Sequence, residues 1–146
     1  MAVKVTEQNL ILNMGTAFRG SMDIIKADMQ LEEKISTLAL SILIHIDENP
    51  DISQGQLGKM LKRDPMTMSQ AVRALQQAEL VDSIQDKEDR RIKRLRITKK
   101  GKQVAENLRN SEKKLIDALI KKWGKQKVLD LAKSIAEYNE FLREHK

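Results

Sequence analysis

The chain has no cysteine, which excludes disulfides, thiolate metal sites and any cysteine-based redox switch. It carries one Trp, one Tyr and two Phe in 146 residues, so its core must be built from aliphatic side chains and methionine. No apolar run approaches the roughly 18 residues needed to cross a bilayer. The longest, Leu38 to Ile46, is broken by Ser41 and His45. The N-terminal MAVKVTEQNL lacks the charged-then-apolar pattern of a secretion signal, and a cytoplasmic location is expected.

What is present points to one helical domain spanning residues 1–146. Hydrophobic content of 40% beside 33% charged residues fits a folded chain with a real core. A formal net charge of +6 favours a polyanionic partner, with an anionic membrane surface as the other candidate.

Apolar residues at Ile11, Met14, Phe18, Met22, Ile25 and Met29 predict a helix over Leu10 to Met29. A second stripe, Leu31, Ile35, Leu38, Ile42 and Ile46, predicts a helix ending before Pro50. The third helix opens on the capping box Ser53-x-x-Gln56, with Ile52 and Leu57 placed as a hydrophobic staple. Leu57, Met60 and Leu61 form its expected inner face. Asp64 caps the fourth helix and Pro65 takes its first position, where the missing N–H costs nothing. Its inner face is Met68, Val72 and Leu75, with Ala71 at the edge. Leu80 to Ile84 and Ile92 to Ile97 read as strands around a polar tip. Thr98 then caps a long helix with Val104, Leu108, Leu115 and Leu119 inward, and Gly124 stops it. The last helix carries Val128, Leu131, Ile135, Tyr138 and Leu142 at coiled-coil spacing. The fold class is therefore mainly α with a small β-hairpin wing: a winged helix-turn-helix over residues 31–102, flanked by residues 1–30 and 103–146.

The turn Lys62-Arg63-Asp64 is as short as that of a helix-turn-helix. With Met68, Val72 and Leu75 inward, Met66, Thr67, Gln70, Arg73, Ala74 and Gln77 face outward and Ser69 lies on the flank. Gln and Arg can pair with adenine and guanine edges. Thr67 and Ser69, near the positive helix N-terminus, suit phosphate. In the hairpin, Asp89 stands two residues before Arg91, where a carboxylate can hold a guanidinium extended for a narrow minor groove. Eight of the thirteen residues from Arg90 to Lys102 are basic, Lys93 among them, and none is acidic. Such a cluster is unfavourable unless a polyanion neutralises it.

On these residues the sequence resembles the multiple-antibiotic-resistance regulator (MarR) family of winged-helix transcription factors. Four segments carry the resemblance: ISQGQLGKML, TMSQAVRAL, DKEDRR and LRITKKG. It implies a homodimer joined through the terminal helices, each subunit setting its recognition helix in a major groove and its wing in the flanking minor groove of a pseudo-palindromic double-stranded DNA operator. The implied DNA-contacting set is Ser53, Thr67, Ser69, Gln70, Arg73, Asp89, Arg90, Arg91 and Lys93, with Asp89 orienting Arg91 and Arg90 on the backbone. A small anionic or aromatic effector between the dimer helices and the winged module is implied too, with no membrane partner. Three positions depart from the family pattern: Gln70 replaces Arg, Glu79 stands where Gly ends the recognition helix, and Ser83 replaces a basic residue.

No catalytic constellation is visible, and no cofactor or metal site is expected. His45 and His145 lie in no metal-spaced cluster, and His45 within Leu38–Ile46 reads as a core or interface residue. A protein-interaction adaptor or an RNA-binding protein could share the basic surface. Phe18, Trp123, Tyr138 and Phe141 all lie outside the basic module, which weighs against RNA stacking.

Overall fold

The computed structural model describes residues 5–31 and 35–145. A 3₁₀ turn, Glu7–Asn9, leads into α1 (Leu10–Met29), followed by α2 (Thr37–Glu48), α3 (Gln54–Leu61) and α4 (Pro65–Gln77). Strands β1 (Val81–Gln85) and β2 (Lys93–Ile97) form the wing, and α5 (Lys99–Trp123) and α6 (Lys125–Glu144) complete the chain. The expected mainly α architecture with one hairpin is what the chain adopts.

Helix α2 is the hub. Ala39, Leu40, Ile42, Leu43 and Ile46 are all buried on it, and it touches α4, α5 and β2. Around it close Leu57, Met68, Leu75, Leu80, Val81 and Leu95, each at most 1% exposed. Each such side chain contributes about 1.5–3 kcal/mol by leaving water, so truncating Leu40 to Ala should cost about 2–5 kcal/mol.

Local chemistry sets the boundaries. α2 does not begin at Leu31, which lies outside any helix. Ser36, in extended backbone, accepts a 3.1 Å bond from the Ala39 amide and starts the helix one residue later. A capping side chain overrides a stripe that could have run further back. Residues 32–34, across which the longer helix was expected, lie outside the described residues, as do residues 1–4 of the N-terminal stretch and residue 146. Thr98 caps α5 by accepting from Gly101 N at 2.9 Å, and Gly124, at φ 84°, ends it.

Two apolar faces are not part of this core. The α1 stripe buries Ile25 alone, while Ile11 and Phe18 are about three-fifths exposed, at 60% and 59%. Helix α6 has no buried residue, and Leu131, Ile135 and Leu142 of its stripe are exposed. What fixes α1 to α5 is polar at one end. Asp28 accepts from Ser111 Oγ at 2.5 Å and Lys114 Nζ at 3.1 Å, and the Ser111 bond above all holds the Asp28 carboxyl below its ordinary range. Among the described residues, no helix is long and apolar enough to cross a membrane.

Candidate nucleic-acid interface

The helix-turn-helix is built from three local devices. Ser53 Oγ accepts from Gln56 N and Gln56 Oε1 from Ser53 N, both at 3.1 Å, closing the expected capping box. Lys62, at φ 52°, ends α3 in the left-handed region, and Arg63 N donates back to Gly58 O at 2.9 Å. Asp64 then caps α4, its two oxygens accepting from Thr67 N at 2.9 Å and Thr67 Oγ1 at 2.6 Å.

Because α4 buries Met68, Ala71, Val72 and Leu75, Met66, Gln70, Arg73 and Gln77 face outward and are exposed. On α3 the sequence reading needs one correction: Met60 is not an inner residue but 52% exposed. The helix is eight residues long, and Leu57 with the half-buried Leu61 already fills its inner side.

Asp64 also changes the role expected of Thr67. The Thr67 hydroxyl donates to that carboxylate, and this bond is the chief cause of its lowered pKa. The N-terminus of α4 thus already holds a negative group, which removes the helix-end argument for phosphate at Thr67. Ser69 stays in play: its Oγ accepts from Gln54 Nε2 at 3.0 Å, leaving the hydroxyl proton for another acceptor. Ser53 is buried beside the returning strand of the wing, where it bridges to Arg94 as a one-residue third strand. The same edge is fixed by Leu95 N donating to Ile52 O at 2.9 Å.

In the wing, Val81 pairs with Ile97, Ser83 with Leu95 and Gln85 with Lys93. Period-two alternation therefore puts Ser83, Lys93 and Leu95 on the helix side, and Ile84, Arg94 and Arg96 on the other. Ser83, which lacks the basic side chain of the family pattern, accepts from Gln76 Nε2 of α4 at 2.9 Å.

The tip carries the sharpest geometry. Arg91 Nε and Nη2 donate to the two oxygens of Asp89, each at 3.0 Å, and Arg91 N donates to Asp89 Oδ1 at 3.0 Å. Two parallel bonds orient the guanidinium, yet the Arg91 side chain is 91% exposed. The Arg91 bonds are the leading cause of the depressed Asp89 pKa. Beneath them Asp86 accepts from Glu88 N at 2.9 Å, Asp89 N at 3.1 Å and Arg94 Nε at 2.8 Å. The Arg94 bond, first, and the two amides hold Asp86 at a pKa of about 2.

Asp86 and Asp51 are the residues sequence reasoning missed, and they correct the charge argument. Arg96 Nε donates to Asp51 Oδ1 at 2.6 Å and Arg94 Nη1 to Asp51 O at 3.3 Å. The basic run does not need a polyanion throughout, because Arg91, Arg94 and Arg96 each have a carboxylate. Among the described residues, Arg90 and Lys93 have no carboxylate within ion-pair distance. The Asp86-x-x-Asp89 spacing was the available signal for a side-chain-closed turn; nothing local pointed to Asp51.

The helix side of the wing, α3 and the start of α4 enclose a cleft of about 660 Å³. Gly58 and Met68 line its floor, and Lys59, Arg63, Arg91 and Lys93 supply cations. Ser53 and Ser69 lie on its wall. The structure thus gathers Ser53, Ser69, Arg91 and Lys93 in one channel, with Gln70 and Arg73 on the exposed face of α4.

The MarR family model matches residues 35–93. A MarR protein of known structure from Peptoclostridium difficile is 30% identical, covering 98% of this chain and 96% of that one, with a TM-score of 0.73. This chain belongs to the MarR family. MarR proteins are transcription regulators and not enzymes, in keeping with the absence of a catalytic constellation in the sequence. The chain is also similar to YybA of Bacillus subtilis, described as an uncharacterized HTH-type transcriptional regulator, at 37% identity over 67 residues. That match covers 46% of this chain and spans 45% of the relative's length. Streptococcus pneumoniae FabT, solved in complex with DNA, shares the MarR fold at a TM-score of 0.77 and 19% identity, over 97% of this chain and all of that one.

Proposed function

We propose that this MarR-family chain is a homodimeric, sequence-specific regulator that binds a pseudo-palindromic double-stranded operator and represses by occluding promoter DNA. The observation that carries this reading is Arg91: clamped at two points by Asp89, yet exposed at the wing tip beside a cationic channel. An Arg fixed in extension keeps its charge outward and suits the negative potential of a narrow minor groove. Gln70 and Arg73 then face the major groove, Ser69, Lys93 and Arg90 meet the phosphate backbone, and Ser53 and Asp64-bound Thr67 position the helices. Asp89 acts through Arg91.

Residues 31–102 form the DNA-binding module, and residues 1–30 and 103–146 the dimerisation helices. The exposed apolar faces of α1 and α6 support pairing with a second copy. A small anionic or aromatic effector that alters the spacing of the two modules is the expected signal, and the site of action is the cytoplasm. The test is a gel-shift of the intact protein against a duplex selected from a random pool, against unselected duplex and against RNA hairpins, alongside a solution mass. A clear preference for the selected duplex and a dimeric mass are expected. Equal binding to all three nucleic acids, or a monomer at micromolar concentration, contradicts the reading.

A further inference from the structure

Resting on the DNA-binding reading above, we infer that Met66 is a specificity-determining residue: its thioether packs on the 5-methyl group of a thymine in each half-site. Met66 is 72% exposed at the second position of α4. The helix start is already secured by Asp64 and Pro65, so Met66 serves neither cap nor core. The other methionine of this helix, Met68, does the packing at 1% exposed.

Its position is directional. Met66, Gln70, Arg73 and Gln77 recur at spacings of four, three and four, which keeps them on one stripe about 60° wide. That stripe is the outward face of α4. In chain order it presents a thioether, an amide, a guanidinium and an amide. The major groove offers one apolar feature, the thymine methyl, while adenine N6/N7 suits an amide and guanine O6/N7 a guanidinium. A helical turn of about 5.4 Å against a base-pair rise of about 3.4 Å sets Met66 and Gln70 over pairs one or two steps apart. The half-site therefore contains a thymine and an adenine in that proximity, with a guanine one turn further along the helix. An unbranched, polarisable thioether adapts to a methyl group better than a branched chain fixed in one rotamer.

The experiment uses duplexes selected by the intact protein from a random pool, remade with each thymine in turn replaced by deoxyuridine, which deletes the methyl group alone. The wild type should bind about fourfold more weakly when one particular thymine per half-site is replaced, the loss expected for one buried methyl-sized group. Met66→Ala should bind the thymine duplex about as weakly as wild type binds the deoxyuridine duplex and be indifferent to the swap. Met66→Leu should keep a preference. If wild type and Met66→Ala bind with the same thymine-to-deoxyuridine ratio at every position, the inference is overturned while DNA binding stands. If no duplex is selected at all, the DNA-binding reading fails, and this inference with it.

Discussion

Asp86 and Arg94, eight residues apart, face each other just below the wing tip, joined by a 2.8 Å bond from Arg94 Nε to Asp86 Oδ2. The other Asp86 oxygen gathers the amides of Glu88 and Asp89. One carboxylate thereby closes the tip turn and ties it to the returning strand, and the tip is the platform on which Arg91 stands.

The pH dependence of that platform follows from sign. The folded-state pKa of Asp86 lies at about 2, below the ordinary carboxylate value of 3.8. The ionised form is favoured in the fold, so its contribution is complete above about pH 4 and is lost as pH falls through about 2. The Asp86 carboxyl carbon should titrate by NMR with a midpoint near 2. A midpoint at the ordinary value would mean the turn is not closed by this group.

Arg91 and Asp89 separate geometry from charge. Arg91→Ala should weaken binding to the selected duplex by about 1–3 kcal/mol with little change in Tm, because the side chain is exposed. Asp89→Asn makes the protein more positive by one charge and should still weaken specific binding by severalfold, since the guanidinium is no longer fixed. Tighter binding by Asp89→Asn would show that net charge governs and orientation does not.

Gly101 has no room for a side chain. A Cβ there would stand 2.1 Å from Leu80 O and 2.8 Å from Ile97 Cγ1, and a backbone oxygen cannot yield as a side-chain tip does. Gly101→Ala should destabilise the fold by about 2–3 kcal/mol in urea denaturation. A change below about 0.5 kcal/mol would mean that α5 does not press on the Leu80 turn.

Glu79 sits at φ 61°, the left-handed conformation that glycine adopts without a Cβ penalty. Its carbonyl accepts from Thr98 Oγ1 at 2.7 Å, which holds the turn in place. Glu79→Gly should raise stability by about 0.5–1 kcal/mol, a rise in Tm of about 3 °C. A lower Tm would show that the Glu side chain itself supports the turn.

The legible features were local ones. Ser53 with Gln56, Asp64 with Pro65, Thr98 and Gly124 act within a few residues of the helix ends they define, and each does so in the structure. Arg91 and Asp89 were legible for the same reason, being two residues apart. The Arg96–Asp51 pair was not, because its members are 45 residues apart and only the fold brings them together. Met60 was misassigned because two turns of helix give too few apolar positions to fix a face. Ile11 and Phe18 fitted a buried stripe, and the stripe is real, but nothing within the chain covers it among the described residues.

The carboxylates of Asp51, Asp86 and Asp89 change how ion release on a duplex should be counted. Only a cation that displaces condensed counterions from phosphate adds to the salt slope, at about 0.9 per contact. Arg91, Arg94 and Arg96 arrive already charge-compensated, so the slope of log K against log salt should fall well short of the eight basic residues in the wing run. Three of the wing's arginines are oriented by carboxylates, so a shallow salt dependence is the expected signature of this wing on a duplex.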